Sequence, residues 1–146
     1  MAIIYFNGIE DILPIYEKTI EISGGGAKGI LDLGLLEAAL EHIKNDDYYP
    51  TFCDKLTHLF FVANKHHCFQ DGNKRIAISI CATFLLKNGY LSAARRFLFK
   101  MEVISYHVAS GRIDKEFLHD IMEEIIQNED FSETIKLRLI DVLGRG

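Results

Sequence analysis

The chain has 146 residues, of which 49% are hydrophobic and 25% are charged. This composition is ordinary for a globular protein, and at this length it supplies enough apolar material for one sizeable core. The net charge of −5 argues against a general affinity for nucleic-acid phosphates, since such binding relies on a clustered positive field. We therefore predict one domain with no direct nucleic-acid partner.

Cysteine usage and hydropathy indicate the compartment. Cys53, Cys68 and Cys81 are odd in number and form no CxxC pair, which favours reduced thiols over a disulfide framework. The N-terminal stretch MAIIYFNGIEDILPIYEK lacks the basic start of a secretory signal. No apolar run approaches the roughly 18 residues that a membrane span requires. We expect a cytoplasmic protein with no membrane partner.

Apolar residues recur with helical spacing along most of the chain. The spacing predicts seven helices, over residues 10–22, 32–46, 51–65, 73–88, 92–110, 114–127 and 132–143. Strand-like patterns are confined to residues 3–6 and to the glycine-rich stretch SGGGAKGI at residues 23–30. The expected architecture is all-α or nearly so, without an internal repeat or a long linker.

Capping residues mark the predicted helix ends. Pro14 is expected in the first turn of the first helix, where proline is tolerated. Gly89 and Gly111 follow the fourth and fifth helices, as glycine does after many helix ends. The predicted N-caps are Asp32, Thr51, Asp114 and Ser132. The second helix is expected to bury one face that contains Leu35, Leu36, Ala39, Leu40 and Ile43.

A polar segment, HHCFQDGNKR at residues 66–75, separates two apolar predicted helices. The second of these helices begins near Asn73, and the first backbone N–H groups of a helix bind anions, phosphates above all. Gly72 lets a ligand approach the backbone, and Lys74 and Arg75 add two positive charges. The segment therefore predicts a phosphate-binding site.

Two more residues of this segment point to chemistry. Asp71 would repel a bare phosphate, but a carboxylate is a typical ligand of an Mg²⁺ ion that also binds phosphate oxygens. His67 is the nearby side chain that can accept a proton near pH 7. Base, metal ligand and anion site together suit phosphoryl or nucleotidyl transfer to a hydroxyl group. The alternative is a plain polar loop, since DGNK is also good turn chemistry.

The stretch HCFQDGNKR resembles the motif of the Fic/Doc (Fido) family, H-x-F-x-[D/E]-[G/A]-N-[G/K]-R, at every fixed position. The upstream stretch GGGAKGILDLGLLEAALE is similar to a glycine-rich segment of Doc-type toxins in that family. The resemblance implies a Fido-type bundle of six or seven helices with a small flap, in which a short β-hairpin can form. We predict a Fic/Doc domain over residues 1–127 and a C-terminal helical extension of the same domain over residues 128–146.

The resemblance implies a role for each motif residue. His67 is the general base, Phe69 anchors the loop in the core, and Asp71 holds Mg²⁺. ATP phosphates are bound by Gly72, Asn73, Lys74 and Arg75. The target protein docks on the flap, which contains Gly25, Gly26, Ala27, Lys28, Gly29 and Ile30.

Lys74 and Ile78 bear on the type of reaction. AMP-transferring members of the family usually carry glycine at the first of these positions and a second arginine at the other. Both departures are typical of Doc-type toxins, in which ATP binds reversed and the γ-phosphate faces the histidine. The resemblance thus implies a Ser/Thr protein kinase that acts on a translation elongation factor. Two alternatives are AMP transfer, which Gly72 favours, and an inactive scaffold that only binds a partner.

Regulation is expected to come from a second protein. Fic enzymes are often inhibited by a helix with the pattern [S/T]-x-x-x-E-[G/N], and no Ser or Thr of this chain has Glu four residues later. The resemblance to Doc-type toxins therefore implies an antitoxin that acts in trans. Its disordered tail would fold on this domain.

Other patterns predict structure rather than chemistry. The stretch GGGAKG satisfies G-x-G-x-x-G, but a predicted helix precedes it where a dinucleotide site needs a strand. Cys68 is expected to be a filler residue, and the cluster ARR at residues 94–96 a solvated helix face. The remaining histidines show no recognised zinc-ligand spacing and are expected in the core or at the surface: His42, His58, His66, His107 and His119.

Overall fold

In a computed structural model, the protein is described for residues 2–22, 34–65 and 73–144. This part of the chain is all-α, as predicted, and contains no strand. None of its helices combines the length and apolarity needed to cross a membrane. The helices are α1 (Ile9–Ile22), α2 (Gly34–His42), α3 (Phe52–Lys65), α4 (Asn73–Lys87), α5 (Leu91–Ala109), α6 (Lys115–Gln127) and α7 (Glu133–Gly144).

The core is built around α3, which packs against α2, α4, α5 and α6. The α4 helix also packs against α1 and α5. Phe60 of α3 meets Phe97 of α5 edge to face, with 5.7 Å between the ring centroids. Both rings are fully buried, and burial of one such side chain contributes about 1.5–3 kcal/mol. The core thereby fixes the two helices that flank residues 66–72.

The described helix starts agree with the predicted caps. Thr51 and Asp54 cap α3 reciprocally, since each side chain accepts a hydrogen bond of 3.0 Å from the other's backbone N–H. The side chains of Asp114 and Ser132 accept backbone N–H groups at the starts of α6 and α7. Asp32 lies outside the described residues. These bonds satisfy N–H groups that have no partner inside a helix.

Two helices differ from the prediction near the N-terminus. The α1 helix starts at Ile9, so Pro14 is in its second turn and leaves the carbonyl of Glu10 without its helical donor. The α2 helix ends at His42, earlier than expected. There the carbonyl of Ile43 accepts a hydrogen bond from Lys55, which replaces a further helical bond.

Side-chain exposure and hydrogen bonding correct two further predictions. Leu35 is 45% exposed, although it was expected on the buried face of α2. The cluster at residues 94–96 is not simply a solvated face. Arg96 donates from Nε and Nη2 to the carbonyl of Ile125 at 2.9 and 2.7 Å, and it thereby caps the C-terminal end of α6. Gly89 and Gly111 have φ of +84° and +82°, as expected after a helix end.

The C-terminal helix α7 is held mainly by contacts with α6. Arg138 forms a 2.8 Å ion pair with Asp120, and its guanidinium lies 3.9 Å from the ring centroid of Phe117. Ser132 donates from both its N–H and its hydroxyl to Glu124. The predicted seventh helix is confirmed. The predicted boundary at residue 127 stays a prediction.

Candidate functional site

The first turn of α4 is the described part of the predicted site. The helix begins at Asn73, where the motif places it, so Asn73, Lys74 and Arg75 occupy one turn. This turn contains no acidic residue, and the N-terminus of a helix is the positive end of its dipole. The Arg75 side chain is exposed. An anion can meet both backbone N–H groups and a guanidinium here.

An open groove of about 790 Å³ lies beside this helix start, between α1, α4 and α5. Its lining is mostly apolar and includes Ile15 and Leu98. Among the described residues, the charged side chains of the lining are two cations, Lys18 and Arg75, and one carboxylate, Glu102. A chain segment bound in the groove would therefore be adjacent to the first turn of α4.

Hydroxyl groups fix α1 against α4 along this groove. The Thr19 hydroxyl oxygen lies 2.7 Å from the carbonyl oxygen of Ile15 and 3.1 Å from the Ser79 hydroxyl oxygen. Thr83 donates to the carbonyl of Ser79 at 2.8 Å. Ile78 lines the groove on the same helix, at the position where AMP-transferring relatives were expected to carry arginine.

Asn64 is a residue of this region that sequence reasoning missed. It is 1% exposed near the end of α3, just before residues 66–72, and its Nδ2 donates to the carbonyl of Ser105 at 2.9 Å. Its Oδ1 is buried without a partner among the described residues. In the sequence, Asn64 could have been noticed as an amide within the largely apolar stretch LTHLFFVANK. The bond fixes the end of α3 against α5, and with it the point where the motif segment starts.

Most predicted site residues lie outside the described part of the chain. These are His67, Phe69, Asp71 and Gly72 of the motif, and Gly25, Gly26, Ala27, Lys28, Gly29 and Ile30 of the flap. Their roles stay predictions. The described part brings Asn73, Lys74 and Arg75 together at one helix end, beside the groove.

The described structure is thus a helical bundle in which the first turn of α4 lies beside an open groove. A sequence model of the Fic/DOC family matches residues 5–85, more than half of the chain. The chain belongs to the Fic/DOC family, which confirms the predicted resemblance. It is similar to Toxin Doc of Mycolicibacterium smegmatis, with 34% identity over 97 residues that cover 64% of this chain and 75% of that protein. No solved structure gave a significant match.

Proposed function

We propose that the protein is a Doc-like toxin that transfers the γ-phosphate of ATP to a Ser or Thr hydroxyl of a translation elongation factor in the cytoplasm. One observation carries the proposal: the complete motif HCFQDGNKR ends in the first turn of α4, with lysine at position 74. Similarity to Toxin Doc supports the toxin part. AMP transfer and partner binding without chemistry are the alternatives.

Each residue of the proposed site has a separate role in phosphoryl transfer. When bound, ATP with Mg²⁺ supplies the activated phosphoryl group. The start of α4 and Arg75 bind phosphate oxygens, and Asp71 would hold the metal. His67 takes the proton from the acceptor hydroxyl as the oxygen–phosphorus bond forms and ADP leaves. Most of the rate enhancement in such reactions comes from positioning and charge stabilisation, which this fixed helix start suits.

The proposed regulator is an antitoxin encoded with the toxin. The groove beside Arg75 offers an apolar surface with a second cation, Lys18. A disordered antitoxin tail that folds there would place a carboxylate near Arg75 and occupy the phosphate site. Glu102 on the α5 wall limits where such a carboxylate can lie, because like charges repel.

The decisive experiment uses ATP labelled separately at the α and γ phosphates, incubated with the purified protein and a bacterial lysate. Protein-bound label from γ alone supports the kinase. Label from α shows AMP transfer instead. Label from neither position contradicts both enzyme proposals and favours a binding scaffold. Identification of the labelled band by mass spectrometry tests whether the acceptor is an elongation factor.

Lys74→Gly is expected to shift the reaction from phosphate transfer toward AMP transfer. Removal of the side chain frees the space that the α-phosphate would need, while Ile78 in place of arginine keeps the rate low. Mass spectrometry of the modified target measures the added mass. Lys74→Arg is the matched control and should still add phosphate, because bulk and charge are kept. A glycine variant that adds only phosphate would show that another residue sets the orientation of ATP.

Asp71→Asn is expected to weaken metal-dependent nucleotide binding by roughly tenfold or more, since loss of a residue that only hydrogen-bonds to a metal ligand already costs about 10–100-fold. An amide is neutral and a poorer Mg²⁺ ligand than a carboxylate. The measurement is a titration of Mg²⁺ against transfer rate and against nucleotide affinity. Asp47→Asn, at an exposed position after α2, is the control. Equal Mg²⁺ requirements in the two variants would show that Asp71 does not bind the metal ion.

A further inference from the structure

A second cluster of reactive side chains lies at the other end of α3. Cys53, in the first turn of α3, is close to His119 and Glu123 of α6, and the three donor atoms all lie within 4.8 Å of one another. The 14 residues of α3 span roughly 20 Å at about 1.5 Å per residue, so this cluster is distant from the motif. It contributes nothing to the proposed transfer reaction.

Two of the three donor residues lie on the same face of α6. His119 and Glu123 are four residues apart, and residues with this spacing lie on the same face of a helix. Cys53 is 7% exposed and approaches this face from α3. Glu123 is exposed and therefore free to rotate toward the other two donors.

A carboxylate orients the histidine of the cluster. His119 Nε2 lies 2.7 Å from Asp54 Oδ1, and Asp54 is itself fixed by its reciprocal bonds with Thr51. Nδ1 is then the ring nitrogen available to a further partner. Metal-binding histidines usually donate their other N–H to a carboxylate in this way.

The cluster carries an excess of negative charge. Burial, together with the nearby carboxylates of Glu123, Asp54 and Asp120, raises the pKa of the Cys53 thiol to about 12, although a hydrogen bond with Thr57 acts in the opposite direction. Asp120 is paired with Arg138, but no cation is paired with Glu123 among the described residues. A positive ion at this point would offset the charges of the carboxylates and of a thiolate.

We propose that Cys53, His119 and Glu123 bind a zinc-class divalent transition metal ion that links α3 to α6. Thiolate, imidazole and carboxylate are the donors Zn²⁺ prefers, whereas Mg²⁺ and Ca²⁺ prefer oxygen donors alone. Three protein donors leave a fourth position for water, and a cavity of about 400 Å³ lies on the side of His119, lined also by Asp54 and Thr57.

Binding requires a small closure and one proton transfer. Zinc–sulfur and zinc–nitrogen bonds of about 2.3 and 2.0 Å need the donors closer together than 4.8 Å, and rotation of the exposed Glu123 supplies part of this closure. The S–H bond of Cys53 breaks, its proton goes to solvent, and the thiolate binds the metal without redox change. Metal uptake is therefore accompanied by proton release.

The test is a titration of the full chain with Co²⁺ as a spectroscopic probe and with Zn²⁺ in thermal unfolding. We expect a thiolate-to-cobalt charge-transfer band that saturates at one equivalent, and a higher unfolding temperature with Zn²⁺. Cys53→Ser should abolish the band, and Glu123→Gln should weaken binding by roughly tenfold or more. Cys68→Ser and Glu37→Gln, at positions outside the cluster, are controls that should bind as the wild type does.

Three results would overturn the proposal. They are no charge-transfer band in the wild type, a band that persists in Cys53→Ser, and a Zn²⁺ stabilisation of Glu123→Gln equal to that of the wild type. A band lost in Cys68→Ser but kept in Cys53→Ser would place the metal in the motif segment instead. If Cys53→Ser does not fold, the Zn²⁺ stabilisation of Glu123→Gln tests the proposal instead. The Glu123 side chain is exposed and glutamine has the same shape, so this variant is expected to fold.

Discussion

His67→Ala is expected to reduce the rate of phosphate transfer by about 10²–10⁴-fold, the usual cost of removing a general base. The fold and nucleotide binding should persist, because His67 is predicted to act on the acceptor hydroxyl and not on the phosphates. Single-turnover transfer of labelled γ-phosphate measures the rate, and thermal unfolding checks the fold. A variant that keeps more than roughly a tenth of the activity would contradict the mechanism.

His66→Ala is the matched control for this prediction. His66 directly precedes the motif, which begins at His67, and the resemblance assigns His66 no role. The control should keep its activity.

In a bacterium without the antitoxin, expression of the wild type should arrest growth and expression of His67→Ala should not. Normal growth with abundant active protein would contradict the toxin role while leaving the enzyme role intact.

Lys55→Ala is expected to lower the free energy of unfolding by about 2–5 kcal/mol, the range for truncation of a long buried aliphatic side chain to alanine. Lys55 is fully buried, and its Nζ donates to the carbonyl of Ile43 and to Asp46, both at 2.7 Å. Its stem packs in the core, and its ammonium lies 5.7 Å from the ring centroid of Tyr5. Alanine removes the packing and leaves the buried carbonyl without its donor. Urea unfolding measures the loss.

Lys55→Met separates these two contributions. Methionine keeps most of the volume but cannot donate, so we expect a smaller loss of about 1–3 kcal/mol from the unsatisfied carbonyl. The other partner, Asp46, is 78% exposed and stays hydrated, which limits the cost of breaking the ion pair. The control is Lys44→Met, at a partly exposed surface pair with Glu41, and it should change stability by less than about 0.5 kcal/mol. Equal effects at the two positions would mean that Lys55 does not stabilise the core.

Local features of the fold were predictable from sequence because their causes are local. Apolar spacing predicted the helices, and Thr51 and Asp114 cap through bonds to residues three positions away. The start of α4 followed from the motif. The burial of Lys55 was not predictable in this way, because a lysine is usually found at the surface and this burial depends on a carbonyl just after another helix, 12 residues away.

Long-range arrangements were not predictable in the same way. The amide of Asn64 bonds to a carbonyl 41 residues away, and no sequence spacing marks that pair. Cys53 and His119 are 66 residues apart and meet only because α3 packs on α6. Recognised zinc-ligand spacings are local in sequence, and they do not reveal donors that come from two packed helices.

The match to the family covers residues 5–85, yet α5 and α6 complete the core around α3. A nascent chain that has emerged from the ribosome only as far as α4 carries the whole motif, but Phe60 then lacks Phe97 and Asn64 lacks Ser105. The α3 helix, which precedes the motif segment, therefore acquires these contacts only when α5 has been synthesised. For a protein proposed to act on the translation machinery, this order places the formation of these core contacts after the synthesis of α5.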